Sequence, residues 1–239
     1  MSGHSKWSTI KRKKAITDAK RSKIFGKMAR AITIAARKGA DPTMNPALRT
    51  VVDKARGANM SSDNIERAIK KGAGSDDDGT IMDEITYEAY GPGGVALLIE
   101  AITDNKNRIV SEIKHILTMT DGKFANAGSV AWLFDKKGVI RIINPDKPKY
   151  ETEMIAIESG ADDIFWQDDT LEIYTPPENF DSVKNFLVQA GLNIQDSGLE
   201  FIAKNSIEII DEKIKEKIDR LYESLEKNDD VQQIYLNIS

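Results

Sequence analysis

The 239-residue sequence predicts an α+β fold: an N-terminal three-helix bundle plus two α/β domains, the last ferredoxin-like and inserted into a discontinuous middle domain. Three observations predict it. Apolar residues recur three or four positions apart in three segments before residue 74. Residues 139–203 then read β-α-β-β-α-β, the ferredoxin-like order. The block between bundle and ferredoxin-like unit has one helix too few for its strands, and the C-terminal helix and strand supply the missing layer. The expected division is 1–77, 78–135 plus 205–239, and 136–204.

The first helix is expected over 18–38, where Ile24, Met28, Ile32 and Ala35 line one face and Phe25, Ala29 and Ala36 widen it. Gly39 fits the position after the helix, and Asp41-Pro42 prevents continuation. Asn45 and Pro46 are a good N-cap and first-turn pair for a second helix carrying Leu48, Val51, Val52 and Ala55. Ser61 or Ser62 caps a third, with Ile65, Ala68 and Ile69, that ends near Gly72. Residues 72–83, rich in Gly and Asp, read as a linker. Strands are expected at 85–90 and 95–103 around the turn Gly91-Pro-Gly-Gly94, then a helix at 105–120 and a strand at 129–134. The inserted unit comprises a strand at 139–143, a helix at 150–159, a strand pair at 163–167 and 171–175, a helix at 179–190 and a strand at 193–203. A strand at 207–210, a helix at 211–227 with Ile214, Ile218, Leu221 and Leu225 inward, and a strand at 231–238 end the sequence.

Composition removes several classes of function. With no cysteine, disulfides, thiolate metal sites and thiol nucleophiles are excluded. Only His4 and His115 are available for imidazole chemistry, and neither has a partner arrangement in the sequence. No apolar run approaches the roughly 18 residues of a membrane span. The expectation is a cytoplasmic, non-catalytic protein with no cofactor, no metal, no small-molecule substrate and no membrane partner.

The overall charge of −4 hides the main signal. Residues 1–74 hold 18 Lys and Arg against 5 Asp and Glu, a net of +13. The remaining residues hold 16 basic and 33 acidic side chains, a net of −17. Such asymmetry points to a polyanion as the partner of the basic part. The candidate nucleic-acid contacts are His4, Lys6, Trp7, Lys11, Arg12, Lys13, Lys14, Lys20, Arg21, Lys23, Lys27 and Arg30. Phosphates demand cations, and neutralising them releases condensed counterions. Trp7 has two readings, stacking on an unpaired base or anchoring the arm on the bundle.

Asp104-Asn-Lys-Asn-Arg108 offers Lys106 and Arg108 as a second contact, although helix capping with a local ion pair is the simpler account. His115 reads as a partly exposed helical histidine. Gly91-Pro-Gly-Gly94 is a hairpin turn, since it lacks the GK[ST] ending of a phosphate loop. Asp76-Asp-Asp78 and Asp229-Asp230 read as solvated acidic runs. Around Ile164-Phe-Trp166, Asp162, Asp163, Asp168 and Asp169 would repel phosphate, so core packing is expected for Phe165, with Trp166 open.

Gly3-His-Ser-Lys-Trp7, Asp18-Ala-Lys-Arg21, Asn45-Pro-Ala-Leu-Arg49 and Asn64-Ile-Glu-Arg-Ala-Ile-Lys-Lys-Gly72 resemble the YebC/PmpR family. The resemblance continues through Tyr87-Glu-Ala-Tyr-Gly-Pro-Gly-Gly94, Thr103-Asp-Asn-Lys-Asn-Arg108, Gly128-Ser-Val-Ala-Trp-Leu-Phe134 and Asp229-Asp-Val231. It is collinear over nearly the whole sequence and specific when taken together. Ala31, Ser61 and Thr120-Asp-Gly122 depart from the family pattern without removing a cation. The resemblance implies a three-domain cytoplasmic protein of the discontinuous architecture above. It further implies one of two roles: a DNA-binding transcriptional regulator, or a ribosome-associated translation factor on ribosomal RNA or tRNA that aids proline-rich nascent sequences. Mitochondrial members of the family are translational activators.

Overall fold

The computed structural model describes residues 18–74, 81–143 and 145–238, with the side chains of 18–20 excepted. The described residues of Met1–Leu133 and Asn205–Ser239 form one compact unit, and Phe134–Lys204 form a second. The fold is α+β, with seven α-helices and two four-stranded sheets among the described residues.

The described residues of the first unit open with three helices, α1 (Asp18–Ala36), α2 (Pro46–Gly57) and α3 (Ser62–Gly72). Asn45 caps α2 by accepting from the Leu48 N–H, and its amide donates to the Ala35 and Gly39 carbonyls at 2.9 and 2.8 Å. One side chain thus closes two helix ends. Ser61 is the cap of α3. Ile32, Ala36, Leu48, Val52, Ala55, Met60, Ile65 and Ala68 form a core private to the bundle. A Cβ on Gly72 would stand 2.2 Å from the Thr33 carbonyl oxygen, so only glycine allows α3 to end this close to α1.

The rest of this unit is a sheet with two helices on one face. Its strands are β1 (Asp83–Tyr90), β2 (Ala96–Thr103), β3 (Lys123–Ala125) and β8 (Val231–Leu236), in the antiparallel order β3-β1-β2-β8. Helix α4 (Lys106–Met119) contributes Ile109, Ile113 and Leu117, and α7 (Glu212–Glu226) contributes Ile218, Leu221 and Leu225. These pack on Leu97, Ile99 and Ala101 of β2 in a core distinct from that of the bundle.

The second unit carries β4 (Phe134–Ile143), α5 (Lys149–Glu158), β5 (Asp163–Gln167), β6 (Thr170–Thr175), α6 (Phe180–Gln189) and β7 (Asp196–Ala203). Its sheet order β5-β6-β4-β7 is antiparallel throughout, the ferredoxin-like arrangement. Ile140, Ile142, Leu171 and Ile173 meet Ala156, Val183 and Leu187 beneath the helices. On the other face, buried Arg141 donates to Glu172 at 2.7 Å and to both oxygens of Glu200 at 2.5 and 2.8 Å. Burial works against the Arg141 charge, but Glu200 and Glu172 outweigh it and raise its pKa. Burial, reinforced by Glu172, likewise raises the pKa of Tyr174, which donates to that carboxylate at 2.6 Å.

Three expectations about strands and their packing need correction. Residues 129–134 are not a strand: Ala131–Leu133 is a 3₁₀ turn, and β4 starts at Phe134 and runs unbroken to Ile143. The reason is Glu88, whose buried carboxylate accepts from the Gly128, Val130 and Ala131 N–H groups and takes the donors a ladder would need. Residues 207–210 supply only an isolated parallel bridge between Ile207 and Ile238, because Ile209 turns into the core and Ile210 into solvent. In β5 the alternation puts Ile164 and Trp166 against the core, not Phe165, which pairs with Glu172 across the sheet.

Candidate nucleic-acid interface

His4, Lys6, Trp7, Lys11, Arg12, Lys13 and Lys14 lie outside the described residues, as does the side chain of Lys20. Arg21 is exposed on the first turns of α1. Lys23, Lys27 and Arg30 follow at spacings of four and three, which puts them on one helical stripe. That stripe faces the C-terminal end of α7. Lys23 donates to the Lys227 carbonyl and pairs with the Asp229 carboxylate at 3.5 Å. Lys27 donates to the Glu226 carbonyl at 3.0 Å. Arg30 donates to the Asp229 carbonyl at 2.6 Å and pairs with Asp230 at 3.3 Å.

The α7 end suits cations for a general reason. The last carbonyls of a helix lack intrahelical partners and carry the negative end of its dipole. Asp229 and Asp230 follow at once, so the turn between α7 and β8 concentrates negative charge.

Asp230 is not part of a solvated acidic run, as the sequence suggests, but the buried hub of this corner. Its side chain is only 5% exposed. It accepts from Arg108 at 2.6 Å and from the Thr103 hydroxyl at 2.8 Å, besides its pairing with Arg30. Arg108 also donates to Asp104 at 2.8 Å, and Lys106 pairs with Asp83 at 3.2 Å. The bond to Asp230 is the main reason the Arg108 pKa is raised. Two motifs 122 positions apart in the chain, Thr103–Arg108 and Asp229–Val231, therefore form one polar cluster that also receives Arg30.

Arg49, Arg67 and Lys70 were not singled out by the sequence reading. They are exposed on α2 and α3, and among the described residues their side chains have no intramolecular partner. The signal that could have found them is their position opposite the apolar stripes of helices whose own acidic residues are few.

A second polar feature positions aromatic groups. The loop held by Glu88 presents Trp132, 65% exposed, with its Nε1–H donating to the Ser129 carbonyl at 3.0 Å. The Tyr90 hydroxyl donates to the same carbonyl at 3.2 Å. Burial would raise the Glu88 pKa, but the Val130, Gly128, Ala131 and Ser129 backbone donors together outweigh it and hold the carboxyl below the ordinary range.

Among the described residues no group of three or more His, Cys, Asp or Glu is arranged to hold a metal ion, and no helix is long and apolar enough to cross a membrane.

Comparison with known proteins agrees with this architecture. Residues 5–75 match the family model for the TACO1/YebC protein N-terminal domain, and residues 82–238 match the model for the TACO1/YebC second and third domain. A probable transcriptional regulatory protein of Trichlorobacter lovleyi is 46% identical over 99% of this chain and 95% of its own length. One of Acidithiobacillus ferrooxidans is 49% identical over 99% of this chain and 94% of its own length. The crystal structure of a conserved hypothetical protein from Aquifex aeolicus superposes with a TM-score of 0.91 at 41% identity, covering 98% of this chain and 96% of that one. On matches that span both compact units and the bundle's sequence, the chain belongs to the TACO1/YebC family.

Proposed function

We propose that this protein is a nucleic-acid-binding regulator of gene expression that contacts DNA phosphates through its basic N-terminal segment. The observation that carries the proposal is the segregation of charge within one chain, +13 in residues 1–74 against −17 in the remainder. A duplex presents one phosphate per about 1.7 Å of helix axis, and lysine and arginine at high density are the side chains that match it. The naming of the relatives as probable transcriptional regulatory proteins supports the DNA form of the reading.

The acidic remainder favours a second reading. A net of −17 is repelled by a naked duplex but attracted to cationic ribosomal proteins, so ribosomal RNA or tRNA, contacted on the ribosome, is the alternative target. No catalytic role is proposed in either case. Crosslinking the protein in living cells and sequencing the attached nucleic acid decides between them. Discrete promoter peaks are the expected result; a predominance of ribosomal RNA reads would replace the transcriptional reading with the ribosomal one.

A further inference from the structure

Three of the candidate phosphate ligands already have partners within the chain, a carboxylate and a carbonyl each for Lys23 and Arg30 and a helix-end carbonyl for Lys27. We propose that the end of α7, with Asp229 and Asp230, is a built-in competitor for nucleic acid that latches α1 to the middle domain and yields its cations when a polyanion binds. The inference rests on the nucleic-acid reading above for its physiological ligand, and on the geometry alone for the latch.

The contacts have the character of an exchangeable clasp. Bundle and middle domain keep separate apolar cores, and the contacts of Lys23, Lys27 and Arg30 with the end of α7 are polar. Lys23, Lys27 and Arg30 are received by the Lys227, Glu226 and Asp229 carbonyls and by the two carboxylates. The Lys23–Asp229 pair is partly exposed, and pairs of that kind are individually weak and screened by salt. Helix-end carbonyls return readily to water, and Asp229 is 64% exposed.

Opening leaves no buried charge stranded. When Arg30 departs, Asp230 keeps Arg108 at 2.6 Å and the Thr103 hydroxyl at 2.8 Å. Arg108, which the sequence offered as a second nucleic-acid contact, is in this view the residue that holds Asp230 satisfied while the latch is open. A nucleic-acid backbone offers α1 a denser array of charge than two aspartates and a helix end, with counterion release as a further driving force. Cations N-terminal to Lys23 would make the first contact, and the 23-27-30 stripe would follow on release.

The full chain tests this directly, because its lack of cysteine allows specific labelling. Spin labels at Ser22→Cys on α1 and Arg220→Cys on α7 report the clasp by their separation. A single short distance is expected alone, and a longer, broader distribution with saturating 20-base-pair duplex or with heparin at low salt. Asp229→Asn weakens the competitor without touching α1, so it should tighten duplex binding roughly two- to fivefold. Glu178→Gln, the same charge change on the second unit, should leave affinity within error. If the duplex binds while the distance is unchanged and Asp229→Asn behaves like Glu178→Gln, the latch is refuted and the nucleic-acid reading survives. If the duplex fails to bind but heparin lengthens the distance, the latch stands and the nucleic-acid reading falls. An unchanged distance with both polyanions refutes the latch whatever the duplex does.

Discussion

Glu88 shows how one side chain decides a local structure. A carboxylate buried at a strand position would ordinarily be costly, yet three backbone donors within 2.9 Å convert it into the organiser of the loop that follows β3. The backbone donors hold the folded pKa below the ordinary glutamate value. Its stabilisation is therefore fully present above that value and is lost as the pH falls through the lower folded value. Glu88→Gln places an amide against the same N–H groups and should cost about 1–3 kcal/mol at pH 7. It should also flatten the acid limb of stability below about pH 4. Urea unfolding of wild type and variant at pH 7 and pH 3.5 measures both effects. An equal loss at both pH values would mean that the carboxylate charge is not what holds the loop.

At the scale of elements, long amphipathic helices were legible because their apolar stripes coincide with their caps. Asn45-Pro46 marked the start of α2, and the 163–167 strand was read to the residue because Asp168-Asp169 punctuates it. What escaped the sequence depends on distant partners. β3 is three residues long and exists only through pairing with β1, and the loop at 126–133 is set by a glutamate some 40 positions earlier. The same limit applied to the candidate site. Charge identified the cations of α1, but nothing local revealed that Lys23, Lys27 and Arg30 meet a turn about 200 residues away. Nor did it reveal that Arg108 serves a buried aspartate.

Helix packing gives a prediction at this scale. Gly72→Ala would add a methyl 2.2 Å from the Thr33 carbonyl oxygen and 2.8 Å from the Ala36 Cβ. The clash is with backbone, so it outweighs the modest propensity gain of alanine at a helix end. A loss of about 1–3 kcal/mol is expected, the usual cost of overpacking. Amide hydrogen exchange should show faster opening in α1 and α3, with β2 and α4 unaffected. Uniform acceleration across the first unit would show that the bundle does not open on its own.

For the whole molecule, the organising fact is that two opposite surfaces share one chain. A pI near 5.4 would suggest an acidic protein indifferent to nucleic acid, but it averages a +13 segment with a −17 remainder. On the proposed nucleic-acid role, the basic segment would supply affinity, and the acidic remainder would limit where that affinity is used, by repelling a duplex beyond the contact or by approaching a cationic partner. Within the first unit the two signs already meet, at the corner where α1 reaches the end of α7.

The most direct test of the central claim is the salt dependence of binding by the full chain, measured by fluorescence anisotropy on a duplex DNA and on a structured RNA of equal length. If about 5 phosphates are neutralised, log K against log salt should fall with a slope of about −4 to −5 on the preferred ligand. Replacing Lys11, Arg12, Lys13 and Lys14 together by Glu should abolish binding while circular dichroism and thermal unfolding remain those of the wild type. Weak, salt-insensitive binding to both ligands, or binding that survives the fourfold replacement, would contradict the assignment of the basic N-terminal segment as a nucleic-acid-binding surface.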